Sequence, residues 1–114
     1  MINPLPDQQY FEALLGKGID ERVLSPPSKI VVWFSAKWCG PCKRVDGDAL
    51  LQAFPDVTFF KCDVDENNYT PGYCGVRSIP AFMALQDGKP LGSLQNSSTQ
   101  AIAQWIQSTF QTSK

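Results

Sequence analysis

Cys39 and Cys42 stand two residues apart in the run Trp38-Cys39-Gly40-Pro41-Cys42-Lys43. Thiols at that spacing can close a disulfide and reopen it, a cycle that carries two electrons. The same spacing is also half of a structural zinc site, which needs two more ligands in a matching close array. The chain has no histidine, and Cys62 and Cys74 are too widely spaced to make a second pair. Metal binding is therefore not expected. A purely structural disulfide is the other reading, but two-residue loops serve exchange far more than stapling, so thiol–disulfide exchange leads.

The flanking residues say how such a pair is held. Lys29-Ile30-Val31-Val32-Trp33-Phe34-Ser35 is almost continuously apolar and rich in β-branched side chains, which suits a strand covered on both faces. Beyond Pro41, the residues Val45, Ala49, Leu50 and Ala53 recur at near-helical spacing, and proline is tolerated in a first turn. The pair is thus predicted at a strand-to-helix junction. Unpaired amides at a helix N-terminus favour an anion, so the thiolate of Cys39 should be stabilised. Gly40 is expected to permit a tight turn and Pro41 to stiffen it. Cys42, one turn into the helix, stays within disulfide reach and is the more buried of the two. Cys39 is therefore expected to attack and Cys42 to resolve.

Other elements follow from periodicity. Asp7 can cap a helix carrying Tyr10, Phe11, Leu14 and Leu15 on one face, ended by Gly16 and Gly18. Ser25-Pro26-Pro27-Ser28 interrupts the chain before the first strong strand. Val57 through Val64 reads as a second β-rich run, so strand, helix and strand make a parallel crossover. Residues 67–73 allow at best a weak helix. Ala81–Leu85 and Leu91–Leu94 flank Gln86-Asp87-Gly88-Lys89-Pro90, an antiparallel hairpin. Ser97 or Ser98 can cap a last helix whose stripe is Ile102, Trp105, Ile106 and Phe110. These apolar faces read as core.

The 114 residues suffice for one domain, 1–114, and 43% hydrophobic content is ordinary for a globular fold. A net charge of −1 offers no basic footprint for nucleic acid or an anionic membrane. Residues 1–7 lack the charged and apolar regions of a signal peptide, and no apolar run approaches a membrane span. A reducing, cytoplasmic setting is expected, with Cys62 as an inert core thiol and Cys74 as the more accessible one.

Phe34-Ser35-Ala36-Lys37 before the motif, Lys61 and Asp63-Val64-Asp65, then Gly75-Val76-Arg77-Ser78-Ile79-Pro80 and Asp87-Gly88 complete a pattern that resembles the thioredoxin family over nearly the whole chain. The resemblance implies an α/β thioredoxin fold, a central mixed β-sheet sandwiched by α-helices. It implies reduction of protein disulfides through Cys39 and Cys42, with Trp38, Gly40 and Pro41 completing the active-site motif. Ile79-Pro80 is implied to be a cis peptide bond beside the sulfurs, the Ile79 backbone pairing with an extended substrate and Trp38 shielding one side. No bound cofactor is implied beyond the disulfide itself. The implied partners are a thioredoxin reductase as electron donor and disulfide-containing proteins, with neither nucleic acid nor membrane, and the chain is expected to be a monomer.

The departures from the family pattern bear on mechanism. Trp33, six residues before Cys39, stands where the family usually keeps a buried aspartate that helps deprotonate the second cysteine. Lys61, which normally lies near that aspartate, is left either to reach water or to act as a cation that lowers a thiol pKa. Asp46 is a candidate substitute base, or else a solvated helix acid. Gly47 replaces a helix-kinking proline, and Gln95-Asn96-Ser97 replaces a small apolar loop. Cys74 matches the offset of an extra cysteine in some animal members, which makes regulatory oxidation a hypothesis for it. A thioredoxin-fold adaptor, docking partners in the groove around Trp38, Ile79 and Pro80 with redox turnover incidental, is the alternative function.

Overall fold

The computed structural model describes residues 2–111. In chain order the elements are β1 (Asn3–Pro4), α1 (Gln8–Leu14), β2 (Lys29–Ser35), a 3-10 helix (Pro41–Arg44), α2 (Gly47–Ala53), β3 (Thr58–Asp63), α3 (Thr70–Tyr73), β4 (Ala81–Gln86), β5 (Lys89–Gln95) and α4 (Thr99–Gln111). The strands form one mixed sheet in the order β1-β3-β2-β4-β5. β3 runs parallel to β1 and β2, and β4 runs antiparallel to both β2 and β5.

Strand β2 lies at the centre, and every residue from Ile30 to Ser35 is buried. Its side chains alternate between two cores, as the two-residue period of a strand requires. Ile30, Val32 and Phe34 pack with Phe11 and Leu14 of α1 and with Phe60. Val31 and Trp33 face the other way, toward Leu50 of α2, Phe59, Phe82, and Ile102 and Ile106 of α4. Burial on both faces is why the sequence of β2 is continuously apolar rather than alternating.

The local signals act as their chemistry dictates. Asp7 caps α1, its Oδ1 accepting the Tyr10 amide at 2.9 Å, and Gly16 follows the helix at a φ of 76°. Of the two candidate caps for α4, Ser98 serves: its Oγ accepts the Ala101 amide at 3.2 Å. The β4–β5 hairpin turns on Asp87 at φ 52° and Gly88 at φ 80°, the two successive left-handed residues that a tight two-residue hairpin needs. A Cβ on Gly88 would stand 2.8 Å from the Leu15 carbonyl oxygen, so close approach to the end of α1 adds a second reason for glycine.

Two expectations are corrected. The helical spacing after Pro41 does not make one helix. A four-residue 3-10 turn ends at Arg44, Val45 is extended at φ −77° and ψ 123°, and α2 starts afresh at Gly47. Asp46 causes the restart: its side chain accepts the Ala49 amide at 3.1 Å and caps α2. The second correction is β1, which the sequence did not suggest. Two residues pair with Phe60 and Lys61 and continue the sheet beyond β3.

Candidate active site

The end of β2 delivers the chain into a short turn in which Cys39 and Cys42 are joined by a disulfide. Pro41 occupies the first turn of the 3-10 helix, where its missing N–H costs nothing. Gly40 sits at φ −60°, a conformation open to any residue, so the turn itself does not demand glycine. What a side chain there would occupy is empty space: a Cβ would meet nothing within 4 Å.

Both sulfur-bearing residues are nearly buried, Cys39 at 4% exposure and Cys42 at 3%, so the expected contrast between them is not seen in the oxidised form. They pack with Ala36 against Val64 and Ile79. The Cys42 amide donates to Cys39 Sγ at 3.2 Å. A four-residue 3-10 turn has little macrodipole, so this single aimed N–H, rather than an α-helix terminus, is the local feature that favours negative charge on Cys39. Cys39 Sγ also lies 3.9 Å from the Ile79 carbonyl oxygen, and the Ile79-Pro80 bond is cis.

Trp38 stands 68% exposed beside the sulfurs. Its Nε1 donates to Asp65 Oδ2 at 2.8 Å, and Asp65 is itself positioned because its amide donates to Asp63 Oδ1 at 2.9 Å. Between Trp38 and Ile79 lies an open groove of about 410 Å³ walled by Val64, Pro71, Val76 and Arg77. Sequence reasoning quoted Asp65 and Arg77 only as pattern residues. Their roles depend on contacts between distant segments that the sequence does not display.

Trp33, which stands where the family usually keeps an aspartate, packs in the core shared with α2 and α4. Trp33 is buried and stacks on Phe82, ring centroids 5.8 Å apart. Its Nε1 has no hydrogen-bond partner among the described residues. Lys61 is exposed and places its Nζ 4.5 Å from the centroid of the Trp33 ring, a cation–π contact. Gly47 makes room for this arrangement, since a Cβ there would meet Ile2 Cδ1 at 2.6 Å and Trp33 Cζ3 at 3.4 Å. Asp46, the alternative base, is committed to capping α2.

The two remaining cysteines stay free. Cys62 is fully buried in β3 with its thiol 3.7 Å from the Asn67 carbonyl oxygen, and burial pushes its pKa up to about 12. Cys74 is half-buried and burial pushes it up to about 11. Gln95 borders a separate cavity of about 160 Å³ together with Cys74 and Arg77, not the groove at Trp38.

The family model described as Thioredoxin matches residues 12–108. The chain belongs to the thioredoxin family. It is 41% identical over 101 residues to thioredoxin H-type 2 of Nicotiana tabacum, covering 83% of this chain and 81% of that protein. It is 33% identical over 110 residues to thioredoxin of Gallus gallus, covering 95% and 98% of the two chains. The crystal structure of oxidised mitochondrial thioredoxin 3 from Saccharomyces cerevisiae superposes with a TM-score of 0.79 at 33% identity over 94% of each chain. The sheet and its flanking helices are the thioredoxin fold. With the Cys39–Cys42 disulfide in place, the protein is a thiol–disulfide oxidoreductase of the protein-disulfide-reducing kind. The disulfide is its redox group, as in other thioredoxins, which bind no cofactor. Membership also implies a thioredoxin reductase and disulfide-containing proteins as partners.

Proposed function

We propose that Cys39 is the attacking thiol and Cys42 the resolving thiol in this chain, working as a single-domain monomer. The observation that carries the assignment is the Cys42 amide aimed at Cys39 Sγ, which favours a thiolate on Cys39, while no described residue donates to Cys42 Sγ in the same way. In the reduced protein the Cys39 thiolate attacks one sulfur of a target disulfide. A Cys39–target bond forms, and the target's other sulfur leaves as a thiolate. Cys42 then loses its proton to water and attacks Cys39 Sγ, closing Cys39–Cys42 and expelling the second target thiolate. Two electrons have passed to the target, and a reductase returns them.

The groove beside the sulfurs supports the binding half of the reading. An extended target segment would align with the Ile79 backbone, held in place by Pro80, while Trp38 covers its flank. The open space at Gly40 supports a part in access rather than in turn geometry. For Lys61, the exposed position over Trp33 supports a packing part more than a direct effect on the thiols. The burial that pushes Cys74 up to about 11 weighs against ready regulatory oxidation. No observation favours the adaptor alternative.

Two free cysteines beside an exchange-competent pair support a reducing compartment. Among the described residues no helix is long and apolar enough to cross a membrane. We read the setting as cytoplasmic, noting that the relatives include mitochondrial and chloroplast proteins. The net charge of −1 supports a role without nucleic acid or membrane. The test is reduction of a protein disulfide driven by a small dithiol. Wild type should accelerate it, Cys39→Ser should not, and equal activity of the two would reject the assignment.

A further inference from the structure

We propose that Arg77 makes the protein select disulfide targets carrying an acidic side chain within a few residues of the reacting cysteine. This rests on the redox reading above. The groove beside Cys39 is lined mainly by apolar groups, Trp38, Val64, Pro71, Val76 and Ile79, with Ser78, and Arg77 is the one charged residue lining it among the described residues. Arg77 is exposed and forms no ion pair or side-chain hydrogen bond with any described residue. Asp65 accepts the Trp38 indole N–H at 2.8 Å, does not line the groove and forms no ion pair with Arg77. A free cation thus borders an apolar groove that holds no carboxylate to neutralise it.

Distance makes that cation relevant to the reacting centre. The Ile79 carbonyl oxygen is 3.9 Å from Cys39 Sγ. Arg77 lies two residues upstream, so no more than ~7 Å of extended backbone separates its Cα from that of Ile79. A target strand aligned along Ile79 therefore brings residues near its own cysteine to the groove that Arg77 lines. Of the charges near the disulfide, Lys37, Lys43 and Arg44, which flank it in sequence, are exposed and form no ion pair among the described residues, while Asp65 at Trp38 carries the opposite sign. The cations that are paired, Arg22 and Lys29, belong to the α1–β2 loop and to the far end of β2. A protein with a net charge of −1 thus presents unpaired positive charge around its disulfide. Such a face attracts acidic partners in a salt-dependent way, and a guanidinium can grip a carboxylate through two N–H groups.

The test uses synthetic peptides, each with one internal disulfide and an otherwise identical sequence, bearing Glu or Lys on both sides of the reacting cysteine. Pre-reduced protein is mixed with each peptide, and oxidation of Cys39 and Cys42 is followed in a single turnover. Wild type should reduce the Glu peptide about two- to fivefold faster than the Lys peptide at low salt, the worth of an exposed ion pair, and the ratio should shrink in high salt. Arg77→Lys should keep the preference and Arg77→Glu should reverse it. Because Arg77 is exposed, both variants should fold. Equal wild-type rates on the two peptides, or a preference that survives Arg77→Glu, would overturn the proposal. Wild type that reduces neither peptide would instead remove the redox reading, and this one with it.

Discussion

The resolving step should depend steeply on pH in this protein. Cys42 is buried, the residue standing where the family keeps an aspartate is Trp33, and the candidate acid Asp46 is occupied as a helix cap. Without a side-chain base, the Cys42 proton must leave for water, and the rate should follow the thiolate fraction. Below a thiol's pKa the thiolate fraction rises by up to about tenfold per pH unit, so resolution should quicken by up to about that factor for each unit near neutrality. Stopped-flow mixing of reduced protein with an aromatic disulfide separates the two stages. The first thiol is released as Cys39 attacks and the second as Cys42 resolves. Trp33→Asp restores an acid and should raise the second stage at pH 7 while flattening its profile. Losing the large aromatic should cost about 3–5 kcal/mol, against a total stability of about 5–15 kcal/mol for a domain of this kind, so a denaturation curve must first establish that the variant is folded. A wild-type second stage that is flat from pH 6 to 9 would refute the reasoning.

Other consequences follow from packing and charge. Gly88→Ala forces a side chain onto a φ of 80° and within 2.8 Å of the Leu15 carbonyl, so denaturant titration should show a loss of about 2 kcal/mol or more; wild-type stability in that variant would be contradictory. Asp20 is held down to about 2, first by its hydrogen bond from Arg22. Its lowered folded pKa contributes stability above pH ~4 that is lost as the pH falls toward 2. Asp20→Asn should therefore lose less stability than wild type across that interval, and parallel acid curves would dismiss this contribution of the Asp20–Arg22 pair. Alkylation of the native, reduced protein should modify Cys39 first, through the thiolate that the Cys42 amide favours, then Cys74 slowly and Cys62 only on unfolding, following the raised pKa values of the last two and the full burial of Cys62. Mass mapping that finds Cys62 modified before Cys74 would contradict the placement of β3.

Much of the fold was legible because its elements carry their own physics. β2 had to be continuously apolar to be buried on both faces, and the stripe of α4 had only one face to bury. Asp87-Gly88 supplied the two left-handed residues that its hairpin requires. The segment after Cys42 hides its break, because Val45, Ala49, Leu50 and Ala53 keep helical spacing across it. The signal for that break was present: Asp46 is a favoured capping residue placed three before Ala49. β1 was illegible because two residues carry no periodicity and are held only by pairing with β3. The disulfide and its groove could be placed from the motif and the Ile79-Pro80 pair. The stacking of Trp33 on Phe82, its contacts with Lys61 and Gly47, and the unpaired state of Arg77 could not, since each depends on which distant residues meet.

The central claim is that Cys39 makes the bond to the target and Cys42 breaks it, and covalent trapping tests it most directly. Reduced Cys42→Ser protein is incubated with a disulfide-containing protein, quenched with acid and alkylating reagent, and mapped by mass spectrometry. The account predicts an accumulating mixed disulfide through Cys39, with none formed by Cys39→Ser under the same conditions. An adduct that accumulates through Cys42 in Cys39→Ser, with none in Cys42→Ser, would contradict it.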